Sequence, residues 1–473
     1  MIIQIFYALN SKEELILWAK IVYKPDDREY IFVPYCFSKK LHSTCDVIFG
    51  RKKAEVKMVI SLNLDCIENS TYDNPMIIIL SSKLKDKLFI PESQIYRMSI
   101  KENKVIFGPV IGLMLGTNNH TYDSGHMKKY SDRFGVYDKV GGLIFAFSPT
   151  SVDWEKEIVY GIYYNIAISK WIHGVFPLPD VIYARNFHNA PEVVERLSLA
   201  TDGKLFNSHN YTKLELFSHV KLDEELAKNL PPTEALQSYD QLKKFIDTHT
   251  KVILKPINLS RGRGICIIEK SDSLYRVFDY RSKECSEITL NGDDDLLEFF
   301  SNNDGFFSNY LIQKYIRLAK IDDRSFDIRV VMQKRNQRRW SCTGIECRVS
   351  GPNNHITNIS RGGHALLLNE SLALAFEADS DMKQKITEQI HDYCFRFCKH
   401  MDKLGEHFAE FGMDIALDED KNIWLIESNV LPSFKGFIKM DYDMYLSIRY
   451  SPLLYALSLT EFEETETESG GLI

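Results

Sequence analysis

The sequence predicts a mixed α+β protein built from several modules, and three observations carry this. Short runs of branched and aromatic residues dominate residues 1–104, strand-like and helix-like segments alternate over 105–200, and residues 201–460 combine strand pairs with helical stretches. A chain of 473 residues agrees with this division, since domains average roughly 100–200 residues. Composition is that of an ordinary globular protein, 44% hydrophobic, 26% charged and 12% aromatic, which excludes a disordered, collagen-like or disulfide-scaffold chain.

In the first module IIQIFYAL, LILWAKIVY, YIFVPYCF, AEVKMVISL and PMIIIL read as strands between polar turns, giving a small sheet or barrel. It holds no catalytic constellation, so packing or binding a protein partner is its expected role. In 105–200, VIFGPVIGLML reads as one strand buried on both faces, HMKKYSDRFGVYDKVGG as a helix with a glycine stop, and LIFAFSP and PLPDVIYAR as further strands. This α/β module is too short for a full dinucleotide-binding domain and has no Gly-x-Gly-x-x-Gly after its first strand.

In 201–460, Thr233 of LPPTEAL reads as the cap of a helix through Phe245. KVILKPINLSRGRGICIIEK reads as strand, glycine loop and strand, residues 371–402 as mostly helix, and GMDIALDEDKNIWLIESN as a hairpin. The tail 461–473, with five glutamates and a Gly-Gly stretch, is expected to be disordered.

With 58 Lys+Arg against 65 Asp+Glu, the net charge of −7 indicates neither nucleic acid nor an anionic membrane as a partner. No run of 18 uncharged apolar residues predicts a membrane span, and the N-terminus lacks the pattern of a signal peptide. The nine cysteines are odd in number and scattered, so reduced thiols in the cytoplasm are expected and a zinc site is not.

Four stretches carry chemistry. Lys255 enters a loop containing Ser260, Gly262 and Gly264, whose unhindered backbone N–H groups can close over phosphate while Lys255 adds a point charge; a tight hairpin with a solvated lysine is the bland alternative. Asp414, Glu427 and Asn429 fall on one face of the expected hairpin and supply hard oxygen ligands suited to Mg²⁺, or else form a salt-bridged rim. Asp327 and Arg329 share a strand face, where Arg329 is a planar donor for phosphate or acyl phosphate, or part of a surface ladder. Arg348 precedes a polar loop of Asn358, Arg361, Gly362 and Gly363, which binds anions or simply turns.

Taken in order, Lys213, Lys255 with its glycine loop, Gln313 to Ile316, Asp327 with Arg329, Asn358 to Gly363, Asp414, and Glu427-x-Asn429 resemble the ATP-grasp superfamily. GPVIGLMLG (108–116), FSPTSVDW (147–154), WIHGVFPLPDVIYAR (171–185), LFN (205–207), LPPT and TNISRGG resemble, more narrowly, the YheC/YheD-like ATP-grasp family associated with endospore coats. QKYI, DIR, NISRGG and the Glu-x-Asn pair are also similar to the RimK-like glutamate ligases.

The resemblance implies two α+β subdomains gripping ATP, preceded by a small pre-ATP-grasp module and the β-rich domain. It implies that Lys213 and Lys255 contact the ATP phosphates under the 260–264 loop. Gln313, Lys314, Tyr315 and Ile316 would form the adenine hinge, with Tyr315 packing beside the base and Asp327 on the ribose side. Arg329 and Arg348 would face the γ-phosphate and the transferred group, Asn358, Arg361, Gly362 and Gly363 the substrate, and Asp414, Glu427 and Asn429 would hold Mg²⁺. Lys314 departs from the glutamate ligases, which carry an acidic residue there, so a side-chain contact to adenine is lost. The implied reaction is ATP-dependent activation of a carboxylate as an acyl phosphate and its capture by an amine, on a small-molecule or peptide substrate. A spore-coat protein that keeps an ATP-binding fold, and an ATP-grasp kinase, are the alternatives.

Overall fold

The structure is a computed structural model and describes residues 15–67, 69–186, 190–258, 263–282, 285–302, 305–351, 357 and 362–463. The chain divides into two compact units. The first gathers residues up to Ser208 with Lys334–Arg339 and the stretch from Leu446; the second comprises His209–Gln333 and Trp340–Tyr445.

The first unit begins with strands β1 (Leu15–Lys24), β2 (Tyr30–Pro34), β3 (Thr44–Phe49), β4 (Lys52–Ser61), β5 (Met76–Ser81), β6 (Ile95–Lys101) and β7 (Lys104–Gly108). They close into a barrel in the order β1-β5-β2-β4-β3-β7-β6, with β6 pairing back onto β1. Alternation explains the closure: in β3, Cys45, Val47 and Phe49 point into the barrel core while Thr44, Asp46 and Ile48 are partly exposed. A boundary at residue 104 therefore falls at the start of a barrel strand, since β7 pairs with both β3 and β6. The run IIQIFYAL lies outside the described residues.

A mixed sheet follows: β8 (Val110–Met114), β9 (Leu143–Asp153), β10 (Ile158–Asn165), β11 (Lys170–Pro177), β12 (Val181–Ala184) and β13 (Leu205–Phe206), in the order β11-β10-β9-β8-β12-β13. Its β13-β12-β8-β9 half is parallel and its β9-β10-β11 half antiparallel. The run expected as one strand, VIFGPVIGLML, is two strands, because Pro109 has no N–H to donate to a ladder and separates β7 from β8. The expected 126–142 helix is instead short α and 3₁₀ turns that stop at Gly141, whose φ of 67° favours glycine.

Two further expectations fail here. Cys36 and Cys66 form a disulfide with Cα atoms 6.0 Å apart, so the cysteines are not all reduced. The tail is not disordered from residue 461: Phe462 is buried, Lys101 pairs with Glu461 at 2.9 Å and Arg97 donates to the Phe462 carbonyl. Residues 464–473 lie outside the described residues. No helix among the described residues is long and apolar enough to cross a membrane.

The second unit carries two sheets. One is antiparallel throughout: β14 (Thr233–Ala235), β15 (Lys251–Pro256), β16 (Cys266–Ser271), β17 (Leu274–Asp279), β18 (Ser286–Asn291) and β19 (Tyr310–Lys314), ordered β14-β19-β15-β16-β17-β18. Leu242, Phe245 and Ile246 of the helix Tyr239–His249, with Leu296 and Phe300 of Gly292–Ser301, form its apolar core with Val252, Leu254 and Ile268. Thr233 does not cap that helix. It lies in β14 and donates to the Pro231 carbonyl, while the Ser238 side chain takes the cap by accepting from the Gln241 N–H.

The other sheet holds β20 (Lys320–Ile321), β21 (Arg324–Lys334), β22 (Trp340–Val349), β23 (His364–Leu366), β24 (Glu410–Leu417) and β25 (Ile423–Asn429), ordered β23-β22-β21-β24-β25 with β20 on β21. Ile328 and Val330 of β21, Cys347 and Val349 of β22, and Met413 and Ile415 of β24 join one apolar cluster with the helices Leu368–Phe376 and Ser380–Asp402. Side chains alternate along a strand, so the intervening Asp327, Arg329, Glu346, Arg348 and Asp414 belong to the opposite face.

Candidate active site

That opposite face is charged. Arg329 stands opposite Asp414 in the β21–β24 register, and Asp414 opposite Glu427 in β24–β25, so the three form one row across three strands. Asn429, two residues beyond Glu427, shares its face and lies opposite Gly412. A Cβ at Gly412 would run into the Pro432 ring, so glycine lets the 430–434 turn pass close above the row.

Arg329 binds the Asp414 carboxylate with both Nε and Nη2, the second at 3.0 Å, and donates from Nη1 to the Ser433 carbonyl. Arg348 forks onto Asp327 with two bonds of 2.6 Å and reaches Asp414 at 2.9 Å. Thr357 donates to Asp327. Burial alone would raise Asp414, but the two guanidinium groups outweigh it and hold its pKa at about 2. Glu346, two residues before Arg348, is 2% exposed; burial pushes its carboxyl up to about 7 against the pull of Arg329 and Arg348.

The antiparallel sheet contributes Lys255. Thr233 gives its proton to the Pro231 carbonyl at 2.7 Å, so its oxygen is left to accept, and it takes the Gln313 amide N–H at 2.8 Å. That fixes the amide orientation and turns Oε1 toward the Lys255 ammonium, 2.6 Å away. Burial lowers Lys255 to about 8; Glu427 and Asp414 raise it and Lys213 lowers it further, so these four charges act on one another. Lys213 opens a helix, Lys213–Val220, whose start is fixed by a capping box between Thr212 and Glu215. Its ammonium donates to the Pro256 carbonyl at 3.3 Å, and burial lowers its pKa against the pull of Glu427.

Of the residues singled out in the sequence, Lys213, Lys255, Gln313, Asp327, Arg329, Arg348, Asp414 and Glu427 are thus linked through bonds, register or charge, and Asn429 continues the row. Lys314 ends β19 and gives its N–H to the Pro232 carbonyl; the Tyr315 N–H goes to the Lys251 carbonyl, and the Lys251 ammonium lies 4.7 Å from the Tyr315 ring centroid. Ile316 is buried beside them. Gly264 and Gly362 have φ of 73° and 91°, and Gly363 follows the latter. Ser260, Gly262, Asn358 and Arg361 lie outside the described residues. Sequence reading missed Glu346 and the Thr233–Gln313 link, and placed Thr357 only in the polar loop after Arg348, without its bond to Asp327. For Glu346 the available signal was its charge at a two-residue step from Arg348 in an otherwise uncharged strand.

Two carboxylates in register, an amide two residues on and two arginines thus share one face, with two lysines in electrostatic reach of Glu427. The chain belongs to the YheC/D-like ATP-grasp family, whose sequence model matches residues 202–459, and its fold is the α+β ATP-grasp fold. It is 23% identical over 366 residues to the endospore coat-associated protein YheD of Bacillus subtilis, covering 75% of this chain and 79% of that one. It is 22% identical over 361 residues to the endospore coat-associated protein YheC of the same organism, covering 72% and 94%. To the probable tubulin–tyrosine ligase PBY1 of Saccharomyces cerevisiae it is 25% identical over 264 residues, covering 45% and 33%.

Proposed function

We propose that the protein is an ATP-dependent ligase that activates a substrate carboxylate as an acyl phosphate and joins it to an amine of a peptide or amino-acid-like acceptor. The observation that carries this reading is the Arg329–Asp414–Glu427 row with Lys213 and Lys255 in electrostatic reach of Glu427. The name of PBY1, a probable ligase that joins tyrosine to tubulin, agrees with it.

Asp414, Glu427 and Asn429 offer the hard oxygens that suit Mg²⁺, and this set would hold it. The bound ion would supply charge neutralisation on the triphosphate. Lys213 and Lys255 hold the phosphates as point charges. Gln313 orients Lys255, and the Lys314–Ile316 segment receives the adenine. Arg329, now shared with Asp414, is a planar donor for the phosphoryl group in transfer, and Arg348 supports it through Asp327. Ser260, Gly262 and Gly264 are assigned to the phosphates, and Asn358, Arg361, Gly362 and Gly363 to the substrate.

The names of YheD and YheC favour a second reading, a coat-associated protein of the spore that binds ATP without turnover. Residues 1–104 then serve as its partner-binding part. Release of ADP and phosphate from Mg·ATP, screened over amino acids and short peptides, separates the two. Amine-dependent release supports the ligase, release with hydroxyl acceptors alone supports a kinase, and tight ATP binding with no release supports the coat reading.

A further inference from the structure

Glu346 is a buried acid that the reading above leaves without a role. It projects from β22 on the charged face, since its neighbours Cys347 and Val349 join the apolar cluster on the other side. It is 2% exposed, and its Oε2 has no hydrogen-bond partner among the described residues. The two arginines that pull on it spend their bonds elsewhere. Arg329 binds Asp414 and the Ser433 carbonyl, and Arg348 binds Asp327 and Asp414. A buried carboxylate oxygen without a donor is costly, and the cost is removed when a ligand brings the donor.

We propose that Glu346 is the acceptor-side residue of the site and binds a primary amine in its ammonium form. This rests on the ligase reading, and it narrows the acceptor to an amine presented as a cation beside the arginine pair. A divalent metal is the poorer match. Mg²⁺ needs several oxygens in octahedral geometry, whereas Asp327 is forked by Arg348 and Asp414 belongs to the set with Glu427 and Asn429, which leaves Glu346 no further carboxylate to share an ion with. The described residues hold no group of three His, Cys, Asp or Glu placed to hold a metal ion. An ammonium needs only one acceptor oxygen, and its small head tolerates the adjacent positive charges once their fields are spent on Asp327 and Asp414.

The test titrates ethylammonium chloride by calorimetry into the full chain, wild type and Glu346→Gln, with and without ADP and MgCl₂. Binding to wild type, weakened about 10-fold or more in Glu346→Gln, is the expected result. Equal binding to both, no binding to either, or loss of MgCl₂ affinity without loss of ethylammonium affinity overturns the proposal. ADP is titrated separately: a wild type that fails to bind it refutes the nucleotide reading, while the ethylammonium arm still decides the role of Glu346. If Glu346→Gln does not fold, wild-type crystals soaked in ethylammonium chloride decide instead. A nitrogen within hydrogen-bond distance of the Glu346 carboxylate is expected, and a soaked crystal with none there overturns the assignment.

Discussion

Asp414 and Glu427 stand directly opposite one another on β24 and β25, yet their surroundings differ: Asp414 is clamped by two arginines while Glu427 keeps part of its surface exposed. The same chemical group therefore answers differently to mutation. Asp414→Ala strands two guanidinium groups and is expected to cost about 3–5 kcal/mol of stability. Glu427→Gln is expected to leave the unfolding midpoint almost unchanged while weakening Mg²⁺-dependent ATP binding about 10-fold or more, since a metal site loses one of its charges. Thermal melts and calorimetry with and without EDTA read both; a large loss of stability in Glu427→Gln would mark that residue as structural.

Nucleotide affinity is expected to fall as pH rises through about 8, the value to which burial lowers Lys255. The sign follows from linkage. The phosphates want the ammonium, and above its pKa the free protein must first take up a proton, which costs up to about 10-fold in affinity per pH unit. Lys255→Met is expected to bind ADP more weakly and with a flatter profile between pH 7 and about 9. A wild-type profile without a fall in that window contradicts the assignment.

Thr233→Val keeps the shape of the side chain but removes the oxygen that orients the Gln313 amide. The expected result is a looser Lys255, seen as a several-fold loss of ADP affinity, with restoration by Thr233→Ser. Stability should fall by about 1 kcal/mol, the value of one buried hydrogen bond. Serine failing to rescue would show that the threonine methyl, not its hydroxyl, matters.

Phe462→Ala is expected to destabilise the first unit by about 3–5 kcal/mol, because the ring is 1% exposed. Denaturant melts of the full chain give the value. No change would mean that the acidic tail begins before residue 462.

The β24–β25 hairpin was legible because Asp414 interrupts one apolar strand and Glu427 and Asn429, two residues apart, the next, and acids there need a reason. Barrel strands with clean apolar runs were legible for the same cause. Elsewhere the missing information was tertiary. Thr233 ahead of a helical stretch looks like a cap until Pro231 is seen to take its proton. Glu346 is a lone acid until β21 and β22 are laid side by side. Cys36 and Cys66 are separated by 30 residues, and nothing local announces their pairing. In the tail, five glutamates outweighed one phenylalanine in composition, but a single ring in a fitted place anchors the backbone around it.

The first unit is assembled from three separated stretches of chain, with consequences for how it folds. Arg133 donates to the Arg449 carbonyl at 2.9 Å, Asp132 pairs with Arg449 at 2.6 Å, and Phe206 meets Tyr455 edge-on at 5.0 Å. The first two contacts span more than 300 residues, with Asp132 and Arg449 separated by 317 positions. On a ribosome, the barrel and its neighbouring sheet emerge long before the helix Tyr442–Ser458, whose part from Leu446 onward belongs to their unit. The nascent protein therefore waits, with part of that core uncovered, through synthesis of the whole ATP-grasp region. Closure at such long range is entropically slow, so this late docking step is where a chaperone has most to protect and where refolding after denaturation should stall.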